Sequence, residues 1–283
     1  MSRAPAEPSP SVALDGCVLL RPVAEVEVVF AAAAERSFPT REEGNLGICL
    51  KRGPAHHLVA DGRPRVYPAD AISIRPPHCV WSAANTGPVA FLSIDVARSL
   101  LPESLRVDLM TFVPASALPG FAAAARAMAA GDSPPDVHES VAGIVADLHA
   151  ASAIAAPELD DAGRPVALRR ARRLLAERVG DFPTLDQLAA DVGANKFVLL
   201  RQFKRELGVT PRRYAVLLRL ARAREELARG AHIAEVAARW GFADQAHLTR
   251  QFRSAFGLTP GAYVRQVRST SAVRARVAGR PVG

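Results

Sequence analysis

RQFKRELGVTPRRY (residues 201–214) and RQFRSAFGLTPGAY (residues 250–263) share seven identities at one fixed offset, so a fourteen-residue phrase stands twice in the chain. Ahead of each copy, Ala189 and Gly193 answer Ala237 and Gly241, with an offset one residue shorter. Two copies of one supersecondary unit are implied. Each unit reads as a short helix with a small residue facing its partner, a Gly-containing turn, and a second helix carrying side chains outward. That is a helix-turn-helix pattern.

The boundary signals recur with the phrase. Thr184 with Gln187 three residues on is a capping box opening a helix through Asp191, which Gly193 closes. Asn195 caps the next helix to Leu207, and Thr210 before Pro211 begins a long helix to Arg229 that joins the units. In the second unit a helix near Ile233–Trp240, the turn at Gly241, Asp244 as N-cap, a helix to Phe256 and Thr259 before Pro260 repeat this order. Leu199, Phe203 and Leu207 match Leu248, Phe252 and Phe256, each set spaced by four and forming one buried ridge. Residues 165–179 read as a supporting helix that starts at Pro165, with an apolar face at Val166, Leu174 and Leu175.

The face opposite each ridge decides function. Phe197, Arg201 and Lys204 lie away from the first ridge, and Ala246, Arg250 and Arg253 away from the second; the three pairs superpose under the repeat. Outward arginines on such a helix suit the major groove, where Arg bonds guanine edges bidentately, so Arg201 and Arg250 are the expected base readers. Gln245 at the helix start suits adenine and Phe197 a thymine methyl, with Thr249 or His247 reaching a base or a phosphate. Lys196, Lys204 and Arg253 are expected on phosphates. For any single Arg, a solvated charged face is the competing reading. Recurrence at matched positions favours the interface.

Charge divides the chain in the same sense. Residues 1–164 hold 13 Lys/Arg against 19 Asp/Glu and the rest hold 23 against 9, so the parts carry −6 and +14. A basic portion joined to an acidic one points to a polyanion binder fused to something else, with nucleic acid the leading partner. The 283 residues, 49% of them hydrophobic, suffice for two domains with their own cores and exclude disorder throughout. Cys17, Cys49 and Cys79 are widely spaced and form no CxxC pair, which supports neither a disulfide scaffold nor a zinc finger and fits a reducing compartment. With no apolar run of about 18 residues and no apolar signal core at the N-terminus, the expectation is a soluble cytoplasmic protein.

Working back towards the N-terminus, PELDDAGRP (157–165) reads as an interdomain linker. A helical connector over 99–156 precedes it, with Val137, Val141, Ile144, Val145 and Leu148 on one face. That stripe either covers the preceding domain or pairs with its copy in a second subunit. From residue 17 to 95, short apolar runs broken by Gly, Pro or Asp read as strands, among them Val26–Phe30, Leu46–Leu50, His57–Ala60, Ala71–Ile74 and Val89–Ile94. Asp61-Gly62 is the expected hairpin turn. The result is a small β-sandwich or barrel over 12–98, behind a disordered leader at 1–11, and its mouth is a natural small-molecule site. Residues 268–283 form a basic tail.

At RVYPADAISIRPPHCVW (65–81) the chain resembles the cupin-like ligand-binding domain at the N-terminus of many AraC-type regulators. LAADVGANKFVLLRQFKRELGVTPRRY (188–214) and IAEVAARWGFADQAHLTRQFRSAFGLTPGAY (233–263) resemble the AraC/XylS family of bacterial transcription regulators. The second unit keeps the family signature almost throughout; the first departs from it at Leu200, where a polar residue is more usual on the DNA-facing side. The resemblance implies a domain over 165–267 placing two helices in successive major grooves, about 34 Å apart along the DNA. It also implies an activator responding to a small-molecule effector, with double-stranded DNA and RNA polymerase as partners and a homodimer through the connector. Metal-binding cupins place His, His, Glu and a later His at set spacings; here His56, His57 and His78 do not match, so neither metal nor cofactor is expected. Tyr67, Trp81 and His78 are weighed as pocket lining against plain core and left unassigned.

The competing class is an enzyme: a DNA-repair alkyl acceptor or a cupin-type enzyme fused to a DNA-binding domain. Cys79 in PPHCVW has His before Cys, the reverse of the alkyl-acceptor order, and the cupin metal set is missing. A purely architectural DNA binder would leave the acidic β domain without a role.

Overall fold

The structure is a computed structural model and describes residues 17–23, 26–34, 38–83, 89–101, 107, 110–123, 142–148, 150 and 164–268. Strands β1 (Cys17–Val23), β2 (Val26–Ala34), β4 (Leu46–Arg52), β7 (Ala71–Arg75), β9 (Val89–Val96) and β10 (Thr111–Pro114) make an antiparallel sheet in the order β1-β2-β9-β4-β7-β10. Strands β3 (Phe38–Glu43), β5 (His56–Ala60), β6 (Arg63–Tyr67) and β8 (Cys79–Ala83) make a second, in the order β3-β8-β5-β6. The expected sheet-rich N-terminal fold is present. Asp61-Gly62 forms the two-residue turn between β5 and β6, with Ala60 paired to Arg63 and φ of 46° and 70° at the turn. Both residues tolerate that left-handed geometry, which matches the strand twist.

Strand alternation sorts the six-stranded sheet into unlike faces. Ile48 and Leu50 of β4, Ile72 and Ile74 of β7 and Leu92 and Ile94 of β9 share one apolar core with Phe121, Ile144 and Leu148. Phe121 belongs to helix α1 (119–123), and Ile144 and Leu148 to helix α2 (142–148). Each such buried side chain contributes roughly 1.5–3 kcal/mol. The described part of the connector stripe therefore covers the sheet; Val137 and Val141 lie outside the described residues. The connector is also not wholly helical, because β10 falls within it and pairs with β7. A four-residue strand, TFVP, carries too little pattern to be recognised without its neighbour.

The C-terminal part is helical. It comprises α3 (Val166–Glu177), α4 (Leu185–Asp191), α5 (Lys196–Leu207), α6 (Pro211–Ala228), α7 (Ile233–Arg239), α8 (Gln245–Phe256) and α9 (260–268). In α3 the buried residues are Leu168, Ala171 and Leu175, while Val166 is exposed. The expected face was thus rotated: Val166 sits in the first turn, before the helix reaches its neighbours. No helix among the described residues is long and apolar enough to cross a membrane.

The two parts pack together. Val80 of β8 joins the core of the helical domain, and Val29 packs against it. Arg164, within the stretch read as linker, is buried and pairs with Asp61 at 2.9 Å.

Candidate nucleic-acid interface and the cavity behind it

Local chemistry sets the recognition helices in place. Thr184 and Gln187 complete a capping box at α4. Asn195 Oδ1 accepts from the backbone N–H of Phe197 and Val198 at the start of α5, and Asp244 accepts from His247 at the start of α8. Gly208 and Gly257 end those helices in the left-handed conformation, as glycine C-caps do. The ridges Leu199, Phe203, Leu207 and Leu248, Phe252, Phe256 are all buried. This geometry turns the opposite faces outward.

On α5, Phe197 is 61% exposed and Arg201 and Lys204 are exposed beside it; Leu200 is half-buried. On α8, Gln245, Ala246, Arg250 and Arg253 are exposed. Among the described residues no carboxylate lies within 4 Å of Arg201, Lys204, Arg250 or Arg253, so four cations at repeat-matched positions are left to solvent. Other arginines of the domain are engaged. Arg213 donates to Gln251 at 2.9 Å, tying α6 to α8, and Arg219 donates to the Val179 carbonyl with its guanidinium 4.4 Å from the Phe182 ring. Arg239 pairs with Glu226 at 2.9 Å.

Three of the sequence candidates have local partners. Lys196 stands 2.7 Å from Asp186, Thr249 donates its hydroxyl to the Gln245 carbonyl, and the His247 ring accepts from the Ala243 N–H against Phe242. Their side chains help hold the turn and helix start.

Behind this domain lies a cavity of about 100 Å³ between the two sheets. Its walls come from the polar face of the six-stranded sheet, with Lys51 of β4, Ser73 and Arg75 of β7 and Ser93 and Asp95 of β9. The four-stranded sheet adds Arg41, His56, Leu58, Tyr67 and Trp81, and α6 adds Arg224. Of the three aromatics weighed from sequence, Tyr67 and Trp81 line it, while His78 lines an outer groove with Arg169 and Arg173 of α3. Arg75 bonds Asp95 at 3.2 Å and Ser93 at 3.0 Å, passing over Gly47, where a Cβ would stand 2.7 Å from both Arg75 Nε and Asp95 Oδ1. Glu27, on the shared wall, accepts from Tyr263 at 2.7 Å and pairs with Arg224 at 3.6 Å. Burial, with Lys51 and His57 adding to it, pushes the His56 pKa down to about 4, so its ring is neutral at pH 7.

Sequence reasoning missed Glu27, Lys51, Ser73, Arg75, Asp95 and Arg224. Polar residues at every second position of otherwise apolar strands were the available signal. Among the described residues no group of three or more His, Cys, Asp or Glu side chains is placed to hold a metal ion. Cys49 and Cys79 are buried and not joined in a disulfide.

A family model described as "Helix-turn-helix domain" matches residues 188–266. The HTH-type transcriptional activator RhaS of Escherichia coli O139:H28 is 36% identical over 87 residues, 30% of this chain and 31% of RhaS. The probable thc operon regulatory protein of Rhodococcus erythropolis is 32% identical over 88 residues, 30% of this chain and 26% of that protein. The chain thus spans under a third of the length of either relative. A wider likeness is to ToxT of Vibrio cholerae, solved with an unsaturated fatty acid bound, at TM-score 0.54 and 12% identity over 88% of this chain and 95% of ToxT. At that identity the likeness shows the fold alone, and it extends over both parts of the chain. Residues 188–266 thus match a helix-turn-helix domain of the kind these regulators carry, and it is over that domain that the chain resembles the AraC/XylS family.

Proposed function

We propose that this protein is a sequence-specific, double-stranded-DNA-binding transcription regulator, an activator controlled by a small-molecule effector in the sheet domain. The observation that carries it is the set of four solvent-facing cations, Arg201 and Lys204 on α5 and Arg250 and Arg253 on α8, at matched positions of two capped helices. Arg201 and Arg250 read guanine edges, and Lys204 and Arg253, with Lys196 released from Asp186, hold phosphates. Phe197, Leu200 and Ala246 supply apolar contact, while Gln245, His247 and Thr249 reach bases or backbone from the second helix. The likeness to RhaS supports activation, and with it RNA polymerase as a partner in the cytoplasm. A homodimer is part of the same reading.

Effector control is supported by the cavity, because Glu27 and Arg224 join the two domains across its wall. ToxT, of the same fold, holds a small molecule. An occupant that changes this wall biases how the DNA-binding domain is held. The protein is not read as an enzyme: Cys79 is 2% exposed and beyond reach of an alkylated base. Footprinting of the full chain on its own upstream DNA, repeated as salt is raised, tests the assignment. A protected site with two contacts one helical turn apart on one DNA face is expected; salt-sensitive binding without a preferred site would overturn it.

A further inference from the structure

The cavity holds two deficits that a ligand of one chemical class removes. A sandwich interior is ordinarily apolar, yet the inner face of this six-stranded sheet buries Lys51, Ser73, Arg75 and Asp95. Arg75 and Asp95 form an ion pair with each other. Lys51 is different. It is 3% exposed, its Nζ donates to the Pro54 carbonyl and meets His56 Nδ1, each at 2.5 Å, and it lies 5.7 Å from the Tyr67 ring centroid. Among the described residues no carboxylate comes within 4 Å of it. A buried ammonium without a counter-ion is costly. Burial pushes its pKa below the usual lysine range, with Cys49 and Asp70 opposing.

Ser73 is fully buried and, among the described residues, its hydroxyl has only the Tyr67 hydroxyl beside it and no partner in good hydrogen-bond geometry, which leaves it poorly satisfied. The two side chains share a wall. Cys49 pairs with Ser73 in register, so Lys51, two residues on along β4, projects on the same side as its diagonal neighbour. Leu58, Phe91 and Met110 supply apolar surface around them. A neutral polyol finds no open aromatic face to stack on, because the Trp81 ring has the guanidinium groups of Arg41 and Arg75 at 5.0 and 4.8 Å, and it would leave the Lys51 charge unpaired.

We propose that the cavity binds a small organic acid, its carboxylate paired with Lys51 and hydrogen-bonded by Ser73, its apolar body against Leu58, Phe91 and Met110. This rests on the reading of the sheet domain as the effector domain and names the ligand class.

The test is calorimetry and thermal shift on the full chain with benzoate, phenylacetate, octanoate and decanoate, each beside its amide, and with glucose as a neutral polyol. At least one acid binds and raises Tm, while its amide binds at least about tenfold more weakly, since each factor of ten is about 1.4 kcal/mol of lost pairing. Lys51→Met abolishes the shift but melts no lower than the native chain without ligand, because it removes an uncompensated charge; a merely structural lysine would melt lower. Lys51→Arg keeps part of the binding, and Ser73→Ala weakens it several-fold. The proposal is overturned if an amide binds as well as its acid, if glucose alone binds, or if none of the acids binds. The same samples on upstream DNA separate the two readings. Lys51-dependent acid binding that leaves DNA affinity unchanged keeps the ligand class and sinks effector control; glucose that changes DNA affinity does the reverse.

Discussion

The junction between the domains is held at the tip of the β5–β6 hairpin, and Asp61→Asn tests it. Asp61 Oδ2 accepts from Arg164 at 2.9 Å with both side chains under 5% exposed, and Asp61 Oδ1 accepts from the Val80 N–H at 2.9 Å. Next to it Gly62 touches the end of α5 so closely that a Cβ there would stand 2.7 Å from the Gly208 nitrogen. Asn tolerates the left-handed φ of 46° and keeps an acceptor for Val80, so the substitution removes charge and little else. Stranding one member of a buried pair costs about 3–5 kcal/mol. Arg164 retains its bond to the Glu206 carbonyl at 3.4 Å, so the lower end, about 3 kcal/mol, applies. Urea unfolding read by tryptophan fluorescence serves as the assay, with Trp81 in the sheet domain and Trp240 in the helical domain each isolated by replacing the other with Phe. The native chain unfolds with coincident transitions, and Asp61→Asn separates them. In the double-mutant cycle with Arg164→Met the pair shows a coupling of about 2–3 kcal/mol. Strictly additive effects, or coincident transitions in Asp61→Asn, would refute the reasoning.

Three further outcomes are expected. Lys204→Ala weakens binding to specific and random DNA alike and lowers the slope of log K against log salt by about one, measured by fluorescence anisotropy. Tyr263→Phe leaves Glu27 without a buried hydroxyl donor and lowers stability by roughly 1–1.5 kcal/mol in the same urea assay, with the loss vanishing in a Glu27→Met background. Burial raises the Glu206 carboxyl, but Arg205 and Arg63 outweigh it and hold it below the usual carboxylate range. A depressed carboxylate contributes stability above its unfolded pKa that is lost as pH falls through the folded one. Acid unfolding below about pH 4.5 is therefore shallower in Glu206→Gln than in the native chain.

Local chemistry was legible in the sequence and long-range pairing was not. The caps at Thr184, Asn195, Thr210 and Asp244 were readable because a cap is decided within four residues. The Asp61-Gly62 turn was readable for the same reason. The repeat made the buried ridges and the outward arginines legible together, since one copy checks the other. Val166 was misread because a single helix face is set by what packs on it, and here Leu168 and Ala171 meet the neighbours. Arg164 sits among Pro, Gly and acids and reads as linker; only its partner, 103 residues away, makes it a buried tie. The cavity was hidden likewise. Lys51, Ser73 and Asp95 are ordinary polar residues until strand order places β7, β4 and β9 side by side. Glu27 and Tyr263 meet across 236 residues, which no local pattern encodes.

On the proposed function, the outward faces of α5 and α8 read DNA. The most direct measurement is the affinity of the full chain for its footprinted site and for random DNA at one salt concentration, in the native protein, Arg250→Ala and the Arg201→Ala/Arg250→Ala pair. Arg250→Ala is expected to lose about 1–3 kcal/mol on the specific site, roughly five- to 150-fold, and to relax base preference at one position. The double substitution is expected to bring specific binding close to random binding. Unchanged specific affinity and an intact footprint in the double variant would contradict the account.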